Sequence, residues 1–236
     1  MTVPFRHGQY GVRYASTPAD LAACQSLRHQ CFFGRAGLDT DRFDAPCQHL
    51  MIANEAGLVC TARLSVVSDK LDLSGSYTAQ SYDLDPLFAL NGPFLEVGRF
   101  CIDPAVQDAD VLRLAWGALA AFVDQHQIKL IFGCSSFDGV DVGAYARGFS
   151  LLAARYQGGA IQPHAKACEV VPLVDQGLKG GAGELPPLLR SYLAMGGWVS
   201  DHAVIDRALQ TIHVFTALDV AAIPPARAAA LRKIFA

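Results

Sequence analysis

The sequence lacks any run of eighteen apolar residues free of charge, so no segment is expected to span a membrane. It lacks a C-x-x-C pair, although it carries seven cysteines: Cys24, Cys31, Cys47, Cys60, Cys101, Cys134 and Cys168. Their odd number and wide spacing point to free thiols in a reducing cytoplasm rather than to a disulfide framework or a zinc site. The seven histidines show no metal-ligand spacing, and no metal is expected. A basic excess is missing too. The net charge of −3 argues against a nucleic-acid partner. Met1 to Tyr10 has no apolar h-region and is not expected to be a signal peptide. No glycine-rich turn joins a strand to a helix, which excludes a doubly wound dinucleotide fold. No G-x-S-x-G elbow surrounds Cys134-Ser135-Ser136, so those residues read as a strand end rather than a nucleophile. What remains is 236 residues, 52% of them hydrophobic, enough for one substantial core and a single expected domain, 1–236.

Tyr10 to Ala15 reads as a first strand. Thr17 and Pro18 then open a helix that runs to about Phe32, with Leu21, Cys24, Arg28, Cys31 and Phe32 on one face. Residues 33–48 read as a loop. His49 to Ala53 and Val59 to Val67 form a strand pair around Asn54-Glu55-Ala56-Gly57. A short helix is expected near Pro86 to Leu90 and a strand at Phe94 to Ile102. A long helix follows from Asp108 to His126, burying Val111, Leu112, Ala115, Trp116, Leu119 and Phe122. Lys129 to Ser135 is a buried strand, Val140 to Tyr156 a helix, Glu169 to Leu173 a strand and residues 175–184 a glycine-rich loop. Pro187 to Met195 is a helix and Thr211 to Leu218 a last strand. Ala226 to Phe235 is a basic helix within a C-terminal segment, 224–236. This order implies an α/β fold of the mixed α+β kind, a mixed sheet with helices on its faces.

Four charged residues occupy positions where apolar ones belong. Arg28 is on the inner face of the first helix, Arg63 is inside one strand, and Glu96 and Arg99 are inside another. A buried ion must be paired. Three arginines and Glu96 do not balance alone, and the loop Asp39-Thr40-Asp41-Arg42-Phe43-Asp44 supplies the missing carboxylates. On spacing alone these residues are equally a structural salt-bridge network or a binding site.

The pattern resembles the ornithine N-acyltransferases of ornithine lipid synthesis, which are similar in turn to the acyl-homoserine-lactone synthases. The resemblance rests on Leu27-Arg28 with Phe32, Asp41 with Phe43-Asp44, Cys47, His49-Leu50 and Arg63-Leu64. It continues through Leu95-Glu96-Val97-Gly98-Arg99, Phe132-Gly133-Cys134-Ser135-Ser136-Phe137, Leu185-Pro186-Pro187-Leu188-Leu189, Tyr192-Leu193, Asp206 and Thr211. It covers nearly the whole chain. Three places depart from it: Phe33-Gly34-Arg35 replaces acidic residues, Gln48 follows Cys47 where Asp is frequent, and Gln210-Thr211-Ile212-His213 replaces Asn-Thr with a nearby Asp. Glutamine or another amino acid therefore stays open beside ornithine.

The resemblance implies a GNAT-like acyltransferase with a mostly antiparallel central sheet. Strands 94–102 and 129–135 would splay at the acyl-donor site. The implied reaction moves a long-chain 3-hydroxyacyl group from acyl carrier protein to the α-amino group of ornithine, giving lyso-ornithine lipid. No bound cofactor is expected; the donor is the acyl-phosphopantetheine of the carrier protein. Acetyl-CoA-dependent relatives carry a glycine-rich pyrophosphate loop, whereas Pro104-Ala105-Val106-Gln107-Asp108-Ala109-Asp110 has no glycine and two acids. Aminolysis of a thioester needs a base, for which Glu96 is the candidate. Val97, Gly98, Ser135 and Ser136 would line the acyl-donor slot. Arg63, Arg99, Arg28, Asp41 and Asp44 would hold the amino acid or each other. Arg147, Arg155 and Lys166 would dock the acidic carrier protein. The C-terminal helix suggests a weak peripheral contact with inner-membrane lipid. The rival readings are an acyl-homoserine-lactone synthase and a non-catalytic carrier-protein or lipid-binding module.

Overall fold

The computed structural model describes residues 4–234; the expected helical reach to Phe235 lies outside them. The chain divides into two compact units. One takes in Met1–Val66, Leu95–Ile128 and Pro225–Ala236, the other Val67–Phe94 and Lys129–Pro224.

In the first unit, β1 (Phe5–His7) and β2 (Tyr10–Tyr14) form a hairpin. Sequence pattern finds only the second strand, because β1 is three residues long and shows its polar residues to solvent. Helix α1 (Pro18–Phe33) starts as expected. Thr17 Oγ1 accepts from the Asp20 amide at 3.1 Å and the Asp20 carboxylate accepts from the Thr17 amide at 3.2 Å, a capping box. The helix ends at Gly34, whose left-handed φ of 65° suits glycine. Its buried stripe is Cys24, Gln25, Leu27 and Arg28; the expected Leu21, Cys31 and Phe32 are only half-buried.

Strands β3 (Gln48–Asn54) and β4 (Gly57–Val67) pair around the expected turn. Counting back from Asn54↔Gly57 would set His49 opposite Ala62, but a bulge between Ile52 and Ala53 shifts the register by one. His49 therefore lies opposite Arg63. After α2 (Lys70–Ser74) and the two-residue strand β5 (Tyr82–Asp83), β6 (Phe94–Ile102) returns beside β4. The strand order within this unit is β1-β2-β3-β4-β6. Helix α3 (Ala109–His126) buries Leu114 rather than Leu112 along with the other expected residues.

In the second unit, β7 (Leu130–Asp138) runs three residues beyond the expected end at Ser135. It is held by β11 (Thr211–Asp219) in an unbroken antiparallel register from Thr211↔Asp138 to Asp219↔Leu130. Cys134, Ser135 and Ser136 are thus mid-strand, not a strand end. Between them in sequence come α4 (Ala146–Arg155), the short β8 (His164–Ala165) that pairs with β5, β9 (Val170–Pro172), α5 (Pro187–Ala194) and β10 (Trp198–Asp206). Strand β10 is absent from the sequence reading. Its alternation breaks at a bulge between Val199 and Ala203, where Ser200 Oγ donates to the His202 carbonyl at 2.6 Å. The order here is β7-β11-β10-β9.

Helix α6 (Pro225–Lys233) returns to the first unit, where Arg232 makes a bidentate pair with Asp124 of α3, both bonds 2.7 Å. Among the described residues no helix is long and apolar enough to cross a membrane.

Candidate active site

The misplaced charges of the sequence form one lattice in the first unit. Arg28 is fully buried. Its Nε donates to Asp39 Oδ2 at 2.8 Å, one terminal nitrogen donates to Asp44 Oδ1 at 2.8 Å, and the other donates to Asp44 Oδ2 at 3.0 Å and to the Asp39 carbonyl. Arg63, 3% exposed, donates to Asp41 Oδ1 at 2.6 Å and Asp44 Oδ1 at 3.1 Å. Arg99 closes the set with bonds to Asp39 Oδ2 at 3.0 Å and Asp41 Oδ2 at 3.4 Å. Phe32 lies under Arg99, and Phe43 lies under Arg63.

Asp39, one of the loop acids expected to supply a carboxylate, ties Arg28 to Arg99. Two further side chains of the lattice, Gln25 and His49, have no charge to mark them as its members in the sequence. Gln25 donates to Asp44 Oδ2 at 2.9 Å. His49 Nε2 lies 3.0 Å from the Asp44 carbonyl and must carry the proton. Burial holds that imidazole below its usual range, so it is neutral. The bulge in β3 is the signal for His49, since it alone brings His49 opposite Arg63. Burial would raise the Asp44 carboxyl, but Arg28, Gln25 and Arg63 outweigh it and hold the group well below the carboxylate range.

Glu96 and Arg99 are three residues apart, so a regular strand would turn them to opposite faces. The strand is not regular. Arg99 has φ +51°, a left-handed conformation that costs a non-glycine residue about 1–2 kcal/mol. Glycine is the natural place for a bulge, yet the irregularity falls at Arg99, one residue after Gly98. A Cβ on Gly98 would lie 3.9 Å from Arg63 Nε, so residues 96 and 98 share the face that looks toward Arg63. Glu96 is buried, and its charge, like that of Asp44, acts on the Cys47 thiol. That thiol is pushed up to about 11, chiefly by burial. Ion pairs thus join the three guanidinium groups to the carboxylates of Asp39, Asp41 and Asp44.

The N-terminus of α3 is occupied. Asp108 accepts from the Asp110 amide at 2.9 Å and from Tyr10 Oη at 2.8 Å, and these bonds hold its carboxyl below the usual range.

Val97 and Gly98 belong to β6, and Ser135 and Ser136 to β7 in the second unit. Ser135 is buried and accepts from Thr216 Oγ1 at 2.9 Å, while Ser136 is exposed on the other face. Of the basic residues read as a dock, Arg147 pairs with Glu184 at 3.0 Å and Lys166 donates to the Ala79 carbonyl at 2.6 Å. Arg155 is exposed near the end of α4.

Residues 25–117, which hold the whole lattice, match the family model described as an acetyltransferase (GNAT) domain. An L-ornithine Nα-acyltransferase of Brucella abortus (strain 2308) is 31% identical to the chain, over 91% of this chain and 86% of the relative. The chain belongs to the L-ornithine Nα-acyltransferase family. A family member from Rhodobacter capsulatus is 28% identical over 90% of this chain and 91% of its own length. The fold agrees with solved structures. The loading GNATL domain of CurA from Lyngbya majuscula gives a TM-score of 0.52 at 12% identity, over 91% of this chain and 99% of that one. The CoA-dependent acyl-homoserine lactone synthase BjaI gives 0.51 at 13% identity, over 95% and 89%. The protein is an acyltransferase of GNAT fold.

Proposed function

We propose that the chain transfers a long-chain 3-hydroxyacyl group from acyl carrier protein to the α-amino group of ornithine, giving lyso-ornithine lipid. The observation that carries this reading is the buried lattice in which Arg28, Arg63 and Arg99 meet Asp39, Asp41 and Asp44 beside the buried Glu96 of β6. Arginines and carboxylates held side by side suit a substrate that carries both a carboxylate and ammonium groups. The relatives named as L-ornithine Nα-acyltransferases support the substrate.

In the proposed reaction Glu96, directly or through a water, takes a proton from the α-ammonium. The freed nitrogen pair attacks the thioester carbonyl carbon. A backbone amide at Val97 or Gly98 steadies the oxyanion. The C–S bond then breaks as the nitrogen gives up its second proton, which the departing thiolate takes up. Arg63 and Arg99 hold the amino acid. Asp41 and Asp44, with Arg28 behind them, hold the arginines.

Asp108 favours the carrier protein over coenzyme A as donor. Its carboxylate already accepts from the Asp110 amide at the start of α3 and would repel a pyrophosphate there. Arg147, Arg155 and Lys166 are the proposed dock, with Arg155 the principal contact. The setting is the cytoplasm. Peripheral lipid contact through α6 would be weak and salt-sensitive, since Arg232 is already paired with Asp124.

The test is mass spectrometry of lipids from a host expressing the chain, together with turnover of purified enzyme on acyl carrier protein thioester. Ornithine, glutamine and S-adenosylmethionine are offered separately. N-acyl-ornithine is the expected product. N-acyl-glutamine would change the substrate, and a lactone from S-adenosylmethionine would move the chain to the synthase reading.

A further inference from the structure

The loop that carries the lattice acids has a second face. Asp39 and Asp44 are buried and Asp41 is 21% exposed, all turned toward the arginines. The side chains left outside are of the opposite kind. Phe33 and Leu38 are 37% and 55% exposed, two of the five large apolar side chains exposed among the described residues. Arg35 and Arg42 are exposed with them. No acid between Phe33 and Gln48 faces outward: the inward fold of the three aspartates has sorted the loop by charge.

The segment is built, not slack. His29 Nδ1 donates to the Arg35 carbonyl at 2.9 Å, and the imidazole packs against Phe33, the two rings tilted by 42° with centroids 4.8 Å apart. Gly37 lies flat against the same ring, so close that a Cβ there would stand 2.5 Å from it. Beyond Leu38, the Asp39 amide donates to the Gln25 carbonyl at 3.1 Å and pins the chain back onto α1. One histidine thus holds a turn that presents Phe33, Arg35 and Leu38 together.

We propose that Phe33–Leu38, with Arg42 of the same loop, is a contact surface for an anionic lipid bilayer. Bulky apolar groups flanked by arginines and free of carboxylates suit the boundary between headgroups and acyl chains. The arginines match anionic headgroups while the phenyl and isobutyl groups match the acyl region just beneath them, and an acidic protein is the alternative that the carrier arm of the experiment separates. The surface stands on this geometry, independently of which amino acid is acylated. It places the membrane contact at the edge of the lattice and not on α6.

The experiment is co-sedimentation of the full chain with phosphatidylglycerol vesicles and with phosphatidylcholine vesicles, at low and high salt and without substrate. Wild type should bind phosphatidylglycerol in a salt-sensitive way and phosphatidylcholine weakly. The double variant Phe33→Ser/Leu38→Ser should lower the partition coefficient at least tenfold. Arg35→Gln/Arg42→Gln should lower it roughly 30-fold, about fivefold for each arginine. Circular dichroism and turnover of a short soluble thioester by the Phe33→Ser/Leu38→Ser variant should stay unchanged. Wild-type binding no stronger to phosphatidylglycerol than to phosphatidylcholine overturns the proposal. So does binding that both loop variants retain but that Arg227→Gln/Lys233→Gln abolishes. Loop variants that bind vesicles normally yet lose affinity for acyl carrier protein assign the surface to the carrier and overturn it as well. Because binding is read without turnover, its failure is separable from failure of the acyl-transfer reading.

Discussion

Arg99 reaches Asp39 because its own backbone is left-handed: at φ +51° its Nε lies 3.0 Å from Asp39 Oδ2. The conformation is costly for arginine and the ion pair holds it. Arg99→Gly and Arg99→Ala both remove the guanidinium, but only glycine fits that backbone at low cost. Arg99→Gly should be the more stable of the two by roughly 0.5–1 kcal/mol in urea denaturation. Both should lose most turnover. The reverse stability order would mean that Arg99 is not held left-handed in solution.

Glu96→Gln keeps size and hydrogen bonding and removes the base. Acyl transfer should fall roughly 10²–10⁴-fold in kcat with a small change in KM for the amino acid. The loss should shrink as pH rises and more of the amine is already neutral. A variant within a few-fold of wild type across pH 6–9 would exclude Glu96 as the base.

Asp44 accepts from Arg28, Arg63 and Gln25 in a buried setting, so Asp44→Asn leaves Arg28 undercompensated. The expected cost is about 3 kcal/mol at neutral pH. The folded carboxyl lies below its unfolded value, so the unfolded chain binds the proton first as pH falls. The stability that Asp44 contributes is complete above its ordinary pKa of about 4 and is lost in more acid solution. Urea midpoints of wild type and variant should therefore converge between about pH 5 and pH 2.

His213 is buried beside Tyr82, whose hydroxyl lies 3.2 Å from Nδ1. Burial pulls the ring down to about 4. The unfolded chain then takes a proton near pH 6.5 and the folded one does not, so stability should fall by up to roughly 3 kcal/mol between pH 6.5 and pH 4. His213→Gln should remove most of that slope. An NMR titration with a midpoint near 6.5 in the folded protein would remove the explanation.

Arg155→Glu should slow transfer from acyl carrier protein by raising KM for the carrier. It should spare a short pantetheine thioester. Arg147→Glu should have the smaller effect on the carrier, because Glu184 already neutralises that arginine. Equal loss with both donors would place these residues in folding or chemistry rather than docking.

Much of the site was legible in one dimension because burial and charge conflict there. Arg28, Arg63, Glu96 and Arg99 occupy core positions, and such ions need partners that only the loop 39–44 supplies in bulk. Gln25 and His49 were not legible as members. Gln25 is an ordinary helix residue, and His49 comes opposite Arg63 only through a one-residue bulge that leaves no mark on hydrophobic periodicity. Strand β10 escaped for a similar reason, since its bulge at Ser200–His202 interrupts the alternation that identifies a strand.

By itself the sequence determined the element types with strong local signals. These are the capped start of α1, the Asn54–Gly57 turn, the period of α3, and the demand that four interior charges be paired. Each depends on neighbours within a few residues, where propensity and periodicity act. Tertiary structure alone decided which carboxylate meets which arginine, that Arg99 rather than Gly98 leaves the regular strand, and that the loop acids turn inward while its arginines and apolar residues turn out. Those choices depend on contacts between residues up to 60 positions apart, as for Asp39 and Arg99. Their energy comes from removing paired ions from water together, a quantity that no local window of sequence contains.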